Sequence, residues 1–243
     1  MTRKPLTGRV PAGAIRRFDL PRLSADVLAR FAALTDLTGA VSDAMDNAGL
    51  VGAIPASDLA PTLGDRRIVG QAVTVRNIER NDGVGAAAAS GKGRMGEQEA
   101  YNQAEPGDVI VIEGLTGVSN MGGQSASLAH RAGCAGAVID GSFRDPDSSR
   151  GLGFPIWARG VTPITGKWRL ETVEINGRVR IAGIAVDAGD LVVADEAGIV
   201  FVPFAHVETV LQQAEKIDAG DSRQKADIGA GVDLATLAAT KYK

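Results

Sequence analysis

A guanidinium and a carboxylate, Arg144-Asp145, directly follow the apolar run Val138-Ile139-Asp140-Gly141-Ser142-Phe143, and twenty residues separate Arg144 from Gly123. An aspartate at the end of a buried strand can ligate a hard cation, and an arginine beside it can grip a carboxylate or an enolate oxygen. Upstream, Met121-Gly122-Gly123-Gln124 opens an Ala/Ser/Leu-rich segment, Gln124 to Ala132, that reads as a helix. Unpaired N–H groups and the positive end of the dipole at such a start suit an anion. Together these residues fit a divalent cation plus a small 2-oxo acid, with Asp145 as metal ligand. They fit equally a surface turn whose glycines only permit close packing.

The elements around them must bring the helix start and the strand end together. Apolar runs bounded by turn residues predict strands at Ile68 to Val75, Val109 to Ile112, Ala137 to Ile139, Val179 to Ile181, Leu191 to Ala194 and Ile199 to Val202. The order around Gln124 to Ala132 is strand–helix–strand, placing Arg144 and Asp145 where open α/β sheets keep their ligands. Helices are expected after Ser24, with Val27, Leu28, Phe31 and Leu34 on one face, and from about Thr38 to Asn47. Ile54 to Gly64 reads as loop, and Val207 to Leu237 as an amphipathic helix interrupted at Gly220, Gly229 and Gly231. Pro106-Gly107-Asp108-Val109 and Ala188-Gly189-Asp190-Leu191 are the same turn chemistry feeding two strands. With no Pro/Ser-rich linker, one α/β domain is expected: arm and helix over 1–37, core over 38–205, helical tail over 206–243.

Other chemistries lack their residues. Gly85 to Gly91 encloses five residues rather than four, and Gly93 follows Lys92 where a phosphate loop needs Ser or Thr. Residues 83–103 are read instead as a mobile lid, with Lys92 and Arg94 facing a second substrate carboxylate, or as a solvated loop. The two histidines, His130 and His206, lack metal-ligand spacing, no Gly-x-Ser-x-Gly elbow is present, and no lysine lies in an apolar strand.

A net charge of -3 leaves no basic surplus for nucleic acid or an anionic membrane surface. The single cysteine, Cys134, has no internal partner, and no window offers about 18 uninterrupted apolar residues. A cytoplasmic protein with neither a nucleic-acid nor a membrane partner is expected.

The spacing Gly123 to Arg144-Asp145 resembles the RraA-like family, which includes metal-dependent 4-hydroxy-4-methyl-2-oxoglutarate aldolases and the RraA regulators of ribonuclease E. Val41-Ser42-Asp43-Ala44, Gly70 to Val75, Pro106 to Val109, Trp157-Ala158-Arg159-Gly160, and Gly189 to Ile199 resemble further family elements in order, over about residues 38 to 235. The resemblance implies a β/β/α swivelling-type core with a mixed sheet flanked by helices, assembled as a trimer or a dimer of trimers. It implies Mg²⁺ or Mn²⁺ held by Asp145 largely through waters, and a small 2-oxo acid held by Arg144 and by the amides near Met121, Gly122, Gly123 and Gln124. It also implies an acid from a neighbouring subunit's C-terminal helix, for which Asp221 is the candidate, with Glu215 and Asp218 close by. Asn81 stands at a strand exit where relatives carry a polar pair. The activity implied is aldol cleavage of a 4-hydroxy-2-oxo acid to pyruvate, with oxaloacetate decarboxylation beside it. The family's terminal acid falls at Ser148, with Asp147 one residue early. That departure and the longer 83–103 segment leave two alternatives: a regulator docking on a ribonuclease or helicase, and a lyase or hydratase acting on a sugar-derived acid.

Overall fold

A computed structural model describes residues 4–242. Its helices start where local chemistry satisfies their first N–H groups. The Ser24 hydroxyl accepts from the Val27 N–H (3.2 Å) and opens α1, Ala25–Ala33. Helix α2, Leu37–Asn47, begins where the Asp195 carboxylate accepts from the Thr38 N–H (3.1 Å) and hydroxyl (2.7 Å). Two short strands follow, β1 (Ala53–Pro55) and β2 (Ala60–Pro61), in the stretch whose composition suggested only loop. Each lies at an edge of the sheet and borrows its structure from a partner, β11 or β6, rather than from its own sequence.

The central strand β3, Ile68–Glu79, runs beyond its apolar part because both neighbours continue alongside it. It is parallel to β4 (Val109–Glu113), which is parallel to β5 (Gly136–Phe143), and β5 is parallel to β6 (Ile156–Val161). On its other side β3 pairs antiparallel with β7 (Leu170–Ile175) at one end and with β10 (Leu191–Asp195) at the other. A small ribbon of β8 (Val179–Ile181) and β9 (Ile184–Val186) intervenes, and β11 (Gly198–Val202) completes a mixed sheet of nine strands among the described residues.

Period-two alternation assigns each strand's two faces to different layers. Val73, Ile110, Ile112, Ile139 and Ile156 face α4 (Glu97–Gln103) and α5 (Gly123–Arg131). The alternate residues Ala72, Val109, Val111, Val138 and Trp157 meet Val192, Ala194, Ile199 and Phe201, so the sheet curls onto itself around an inner core. Leu191, Val193, Val200 and Val202 then support α1, α2 and the long α7, Val207–Gly229. The mixed sheet flanked by helices is therefore the architecture expected. Among the described residues no helix is long and apolar enough to cross a membrane.

The two matching turns use one device: buried Asp108 accepts from the Glu105 N–H (2.8 Å), and buried Asp190 from the N–H groups of Asp187 and Phe204 (both 2.9 Å).

Two expectations are corrected. Gly220 does not interrupt the tail helix but is buried within α7; the helix ends at Gly229, before α8 (Leu234–Ala239). Residues 83–103 are not an unanchored lid either. They form α3 (Val84–Ser90) and α4, and Glu97, Glu99, Ala100 and Tyr101 of α4 are buried. Arg94 is tied to Glu171 (2.9 Å) and Lys92 is exposed.

Cys134 lies between α5 and β5 at 5% exposure, and burial pushes its thiol up to about 12. At pH 8 roughly one part in ten thousand would be thiolate. Ellman's reagent is expected to leave the folded protein unmodified and to titrate one thiol per chain in denaturant; fast reaction of the native protein would contradict this burial.

Candidate active site

The loop between β4 and α5 is folded by one amide side chain. Asn120, fully buried, donates from Nδ2 to the carbonyls of Leu115 (2.8 Å), Val118 (3.2 Å) and Ser142 (3.0 Å), and its Oδ1 accepts from the Leu115 N–H (3.3 Å). It thereby ties the loop to β5. Gly141 permits this closeness, because a Cβ there would lie 2.6 Å from Asn120 Nδ2 and 2.7 Å from the Leu115 carbonyl oxygen. One step on, the Met121 carbonyl accepts from the Arg144 N–H (3.0 Å), joining the helix start to the strand end.

That junction brings Gly122, Gly123, Arg144 and Asp145 together. Asp145 Oδ2 accepts from the Gly123 N–H at 2.9 Å, and Arg144 Nε lies 3.4 Å from the same oxygen. The carboxylate thus takes the anion position at the start of α5, so the first of the expected substrate amides is already engaged. A Cβ on Gly122 would stand 3.1 Å from Arg144 Nε and 3.2 Å from Asp145 Oδ2, so glycine leaves the pair room at the helix start. Asp145 itself adopts a left-handed backbone (φ 59°) just before Pro146, which opens α6, Pro146–Gly151. Aspartate tolerates that conformation better than most residues, and such outliers gather at functional sites.

The Arg144 and Asp145 side chains are about half exposed, at 41% and 46%. A hollow of about 380 Å³ lies beside them, lined by Gly122, Gln124 and Arg144 and also by Arg9, Glu97 and Lys167. Three cations around one buried acid give it a positive field suited to an anionic ligand. A shallower hollow on the other side is formed by Arg144, Asp145, Val161 and Pro163.

Other anticipated residues lie elsewhere. Asn81 is exposed past the end of β3 and lines neither hollow. Asp221 is on α7, whose packing partners within the chain include α1, α2 and α8, and the role considered for it concerns a second subunit. Glu215 is held by Arg30 (2.8 and 2.7 Å) and Asp218 by the N–H groups of Thr35 (2.9 Å) and Asp36 (3.2 Å). These two tie α7 to the N-terminal helices. Asp147 is 98% exposed and pairs with Arg150 at 3.1 Å. Ser148 is the residue that faces the site: a Cβ on Gly123 would lie 2.7 Å from its hydroxyl.

Arg9, Glu97 and Lys167 were not anticipated. Arg9 belongs to an arm that carries no secondary-structure signal, and Lys167 lies in the connection before β7. Gly96-Glu97-Gln98-Glu99 has the acidic first turn of a helix, but that pattern says nothing about burial.

Among the described residues, no three His, Cys, Asp or Glu side chains cluster to hold a metal. A closed protein cage is therefore not built here. A hard cation held by one carboxylate, waters and substrate oxygens needs no such cluster, and Asp145 meets that requirement.

A mixed sheet curled between two helical layers, with an Arg-Asp pair facing a glycine-opened helix, defines an α/β protein with a cleft lined in part by cations. The family described as "RraA-like: Aldolase/RraA" matches residues 38–201, and the chain belongs to that family. It is 33% identical over 80% of its length to a protein of Halalkalibacterium halodurans named "Putative 4-hydroxy-4-methyl-2-oxoglutarate aldolase", covering 86% of that protein. An uncharacterized protein of Methanocaldococcus jannaschii is 30% identical over 75% of this chain and 84% of its own. Among solved structures, an uncharacterized protein from Pseudomonas syringae superposes with a TM-score of 0.79 at 26% identity, over 93% of this chain and 98% of that one. Streptomyces coelicolor RraAS2, described as an unusual member of the RNase ES inhibitor RraA protein family, shares the fold: TM-score 0.68, 22% identity, 88% of this chain and 100% of that one.

Proposed function

We propose that this chain is a divalent-metal-dependent aldolase that cleaves a 4-hydroxy-2-oxo acid to pyruvate and a second carbonyl product, with oxaloacetate decarboxylation as a side activity. The observation that carries the reading is the Asp145 carboxylate fixed on the Gly123 N–H beside Arg144, which lines a cationic hollow. Asp145 would hold Mg²⁺ or Mn²⁺, and the cation, when bound, would supply Lewis-acid polarisation of the 2-oxo group. Arg144 binds the substrate carboxylate and steadies the charge that collects on the enolate oxygen as the carbon–carbon bond breaks. The amides of Gly122 and Gln124 orient the same carboxylate. Arg9 and Lys167 draw the anion in. Active sites lie between subunits of a trimer or dimer of trimers, with Asp221 reaching in from a neighbour.

The test is direct. Purified protein is incubated with Mg²⁺ or Mn²⁺, and pyruvate release is followed from oxaloacetate and from 4-hydroxy-2-oxo acids. Release that requires the cation and stops with EDTA is expected. A second reading, a regulator that docks on a ribonuclease or helicase, draws on Ser148 standing where the family pattern has an acid. No release from any substrate with either cation would favour it and sink the aldolase.

A further inference from the structure

Two carboxylates enter α4 two residues apart and meet opposite surroundings. Glu99 accepts from the Thr7 N–H (2.7 Å), from the Thr7 hydroxyl, and from Asn102 Nδ2 and Gln103 Nε2 (both 3.0 Å). Burial alone would raise it, but those donors bring it below the ordinary glutamate value. Glu97, 3% exposed, accepts from the Ser125 hydroxyl at 2.9 Å, and its Oε2 has no partner among the described residues. Burial holds this carboxyl above its ordinary value, against a bond from its own backbone, the Ser125 bond and the Arg9 charge. Neighbouring acids whose environments drive them apart are the usual mark of a division of labour in which one stays protonated.

Glu99 has a structural duty, because it straps the N-terminal arm onto α4. Glu97 has none that needs its second oxygen. A buried polar atom left unmet destabilises the fold. Protonated, Oε2 would be a donor with no acceptor among the described residues, on a residue that lines the hollow beside Gly122, Gln124 and Arg144. The last torsion of a glutamate side chain turns easily, so the carboxyl can redirect its oxygens without backbone movement.

We propose that Glu97 is the acid that delivers a proton to the enolate carbon left when the substrate's carbon–carbon bond breaks; this rests on the aldolase reading above. The Glu97 O–H bond breaks, the electron pair of the enolate double bond forms the new C–H bond, the 2-carbonyl is restored, and Glu97 is left as a carboxylate. In aldol cleavage the 4-hydroxyl proton passes to solvent, and an equal one returns to Glu97. In decarboxylation CO₂ departs and the proton consumed comes from water.

The groups facing Glu97 are Arg9 from the arm, Tyr101 on its own helix, Ser125 from α5, and Arg144 and Lys167 across the hollow. On the strands packed against α4, Arg76, Arg80, Glu171 and Glu174 are engaged in ion pairs and Glu79 is exposed.

The experiment is exchange of pyruvate methyl protons in D₂O, followed by ¹H NMR with Mg²⁺ or Mn²⁺ present. General acid–base catalysis contributes about 10²–10⁴-fold, and Glu97→Gln should lose that much exchange while pyruvate affinity by calorimetry stays within about threefold. The acid limb of the wild-type exchange profile, where Glu97 must first lose its proton to take one from the methyl group, should vanish with it. Glu97→Asp, which retracts the carboxyl by one methylene, should fall in the same direction and serves if the glutamine variant does not fold. Without metal or substrate, a ¹³C titration should show that the glutamate resonance missing from the variant titrates above the exposed glutamates. Exchange at the wild-type rate in both variants, or a Glu97 resonance titrating with the exposed ones, would overturn the role of Glu97 alone. No exchange in the wild-type protein would overturn the aldolase reading together with it.

Discussion

Asp145→Asn is expected to lower metal-dependent pyruvate release by about 10²–10³-fold, the usual cost of removing a group that stabilises charge as a bond breaks. Asparagine is the informative replacement. It tolerates the left-handed backbone at this position (φ 59°) and keeps an oxygen for the Gly123 N–H, so only the negative charge is lost. Because the side chain is 46% exposed, stability should change by no more than about 0.5 kcal/mol. Alanine would confuse the result by adding backbone strain of about 1–2 kcal/mol. A variant that releases pyruvate at the wild-type rate, with the same dependence on Mg²⁺, would remove Asp145 from the chemistry.

Trp157→Ala should have the largest effect on stability, about 3–5 kcal/mol in urea unfolding. Trp157 is fully buried in the inner core between the two halves of the curled sheet, and its ring N–H donates to the Asp195 carbonyl at 2.9 Å. Asp195 in turn begins α2 through Thr38, so one indole connects β6, the β10–β11 hairpin and a helix start. Trp157→Phe separates the contributions: it keeps most of the ring and strands one carbonyl, which costs about 1–3 kcal/mol. Equal losses in the two variants would mean that the hydrogen bond, not the packing, holds the two halves together.

The local signals were the reliable ones. Ser24 as a cap, glycines at the start of α5, and apolar runs for β4, β5, β10 and β11 all depend on neighbours a few residues away, and the structure has these elements at those places. The joining of Gly123 to Asp145 was also legible, because a strand–helix–strand unit returns the chain to one end of the sheet. Edge strands β1 and β2 were not, since their hydrogen-bond partners lie about a hundred or more residues away in sequence. Strand β7 escaped notice because Leu170–Ile175 mixes charged and apolar residues without regular alternation, and it exists through its pairing with β3.

The sequence by itself determined where six of the strands run, the turn chemistry before β4 and β10, and the Arg144-Asp145 pair at the end of β5. Only the tertiary structure decided the rest of the wall: Arg9 from an arm without secondary structure, Lys167 from a connecting segment, and Glu97 on a helix that composition had suggested was a loose lid. The physical reason is that periodicity and capping report interactions within a few residues. Whether a carboxyl keeps water or loses it, and which donors meet it afterwards, depends on surfaces that become neighbours only when distant segments pack.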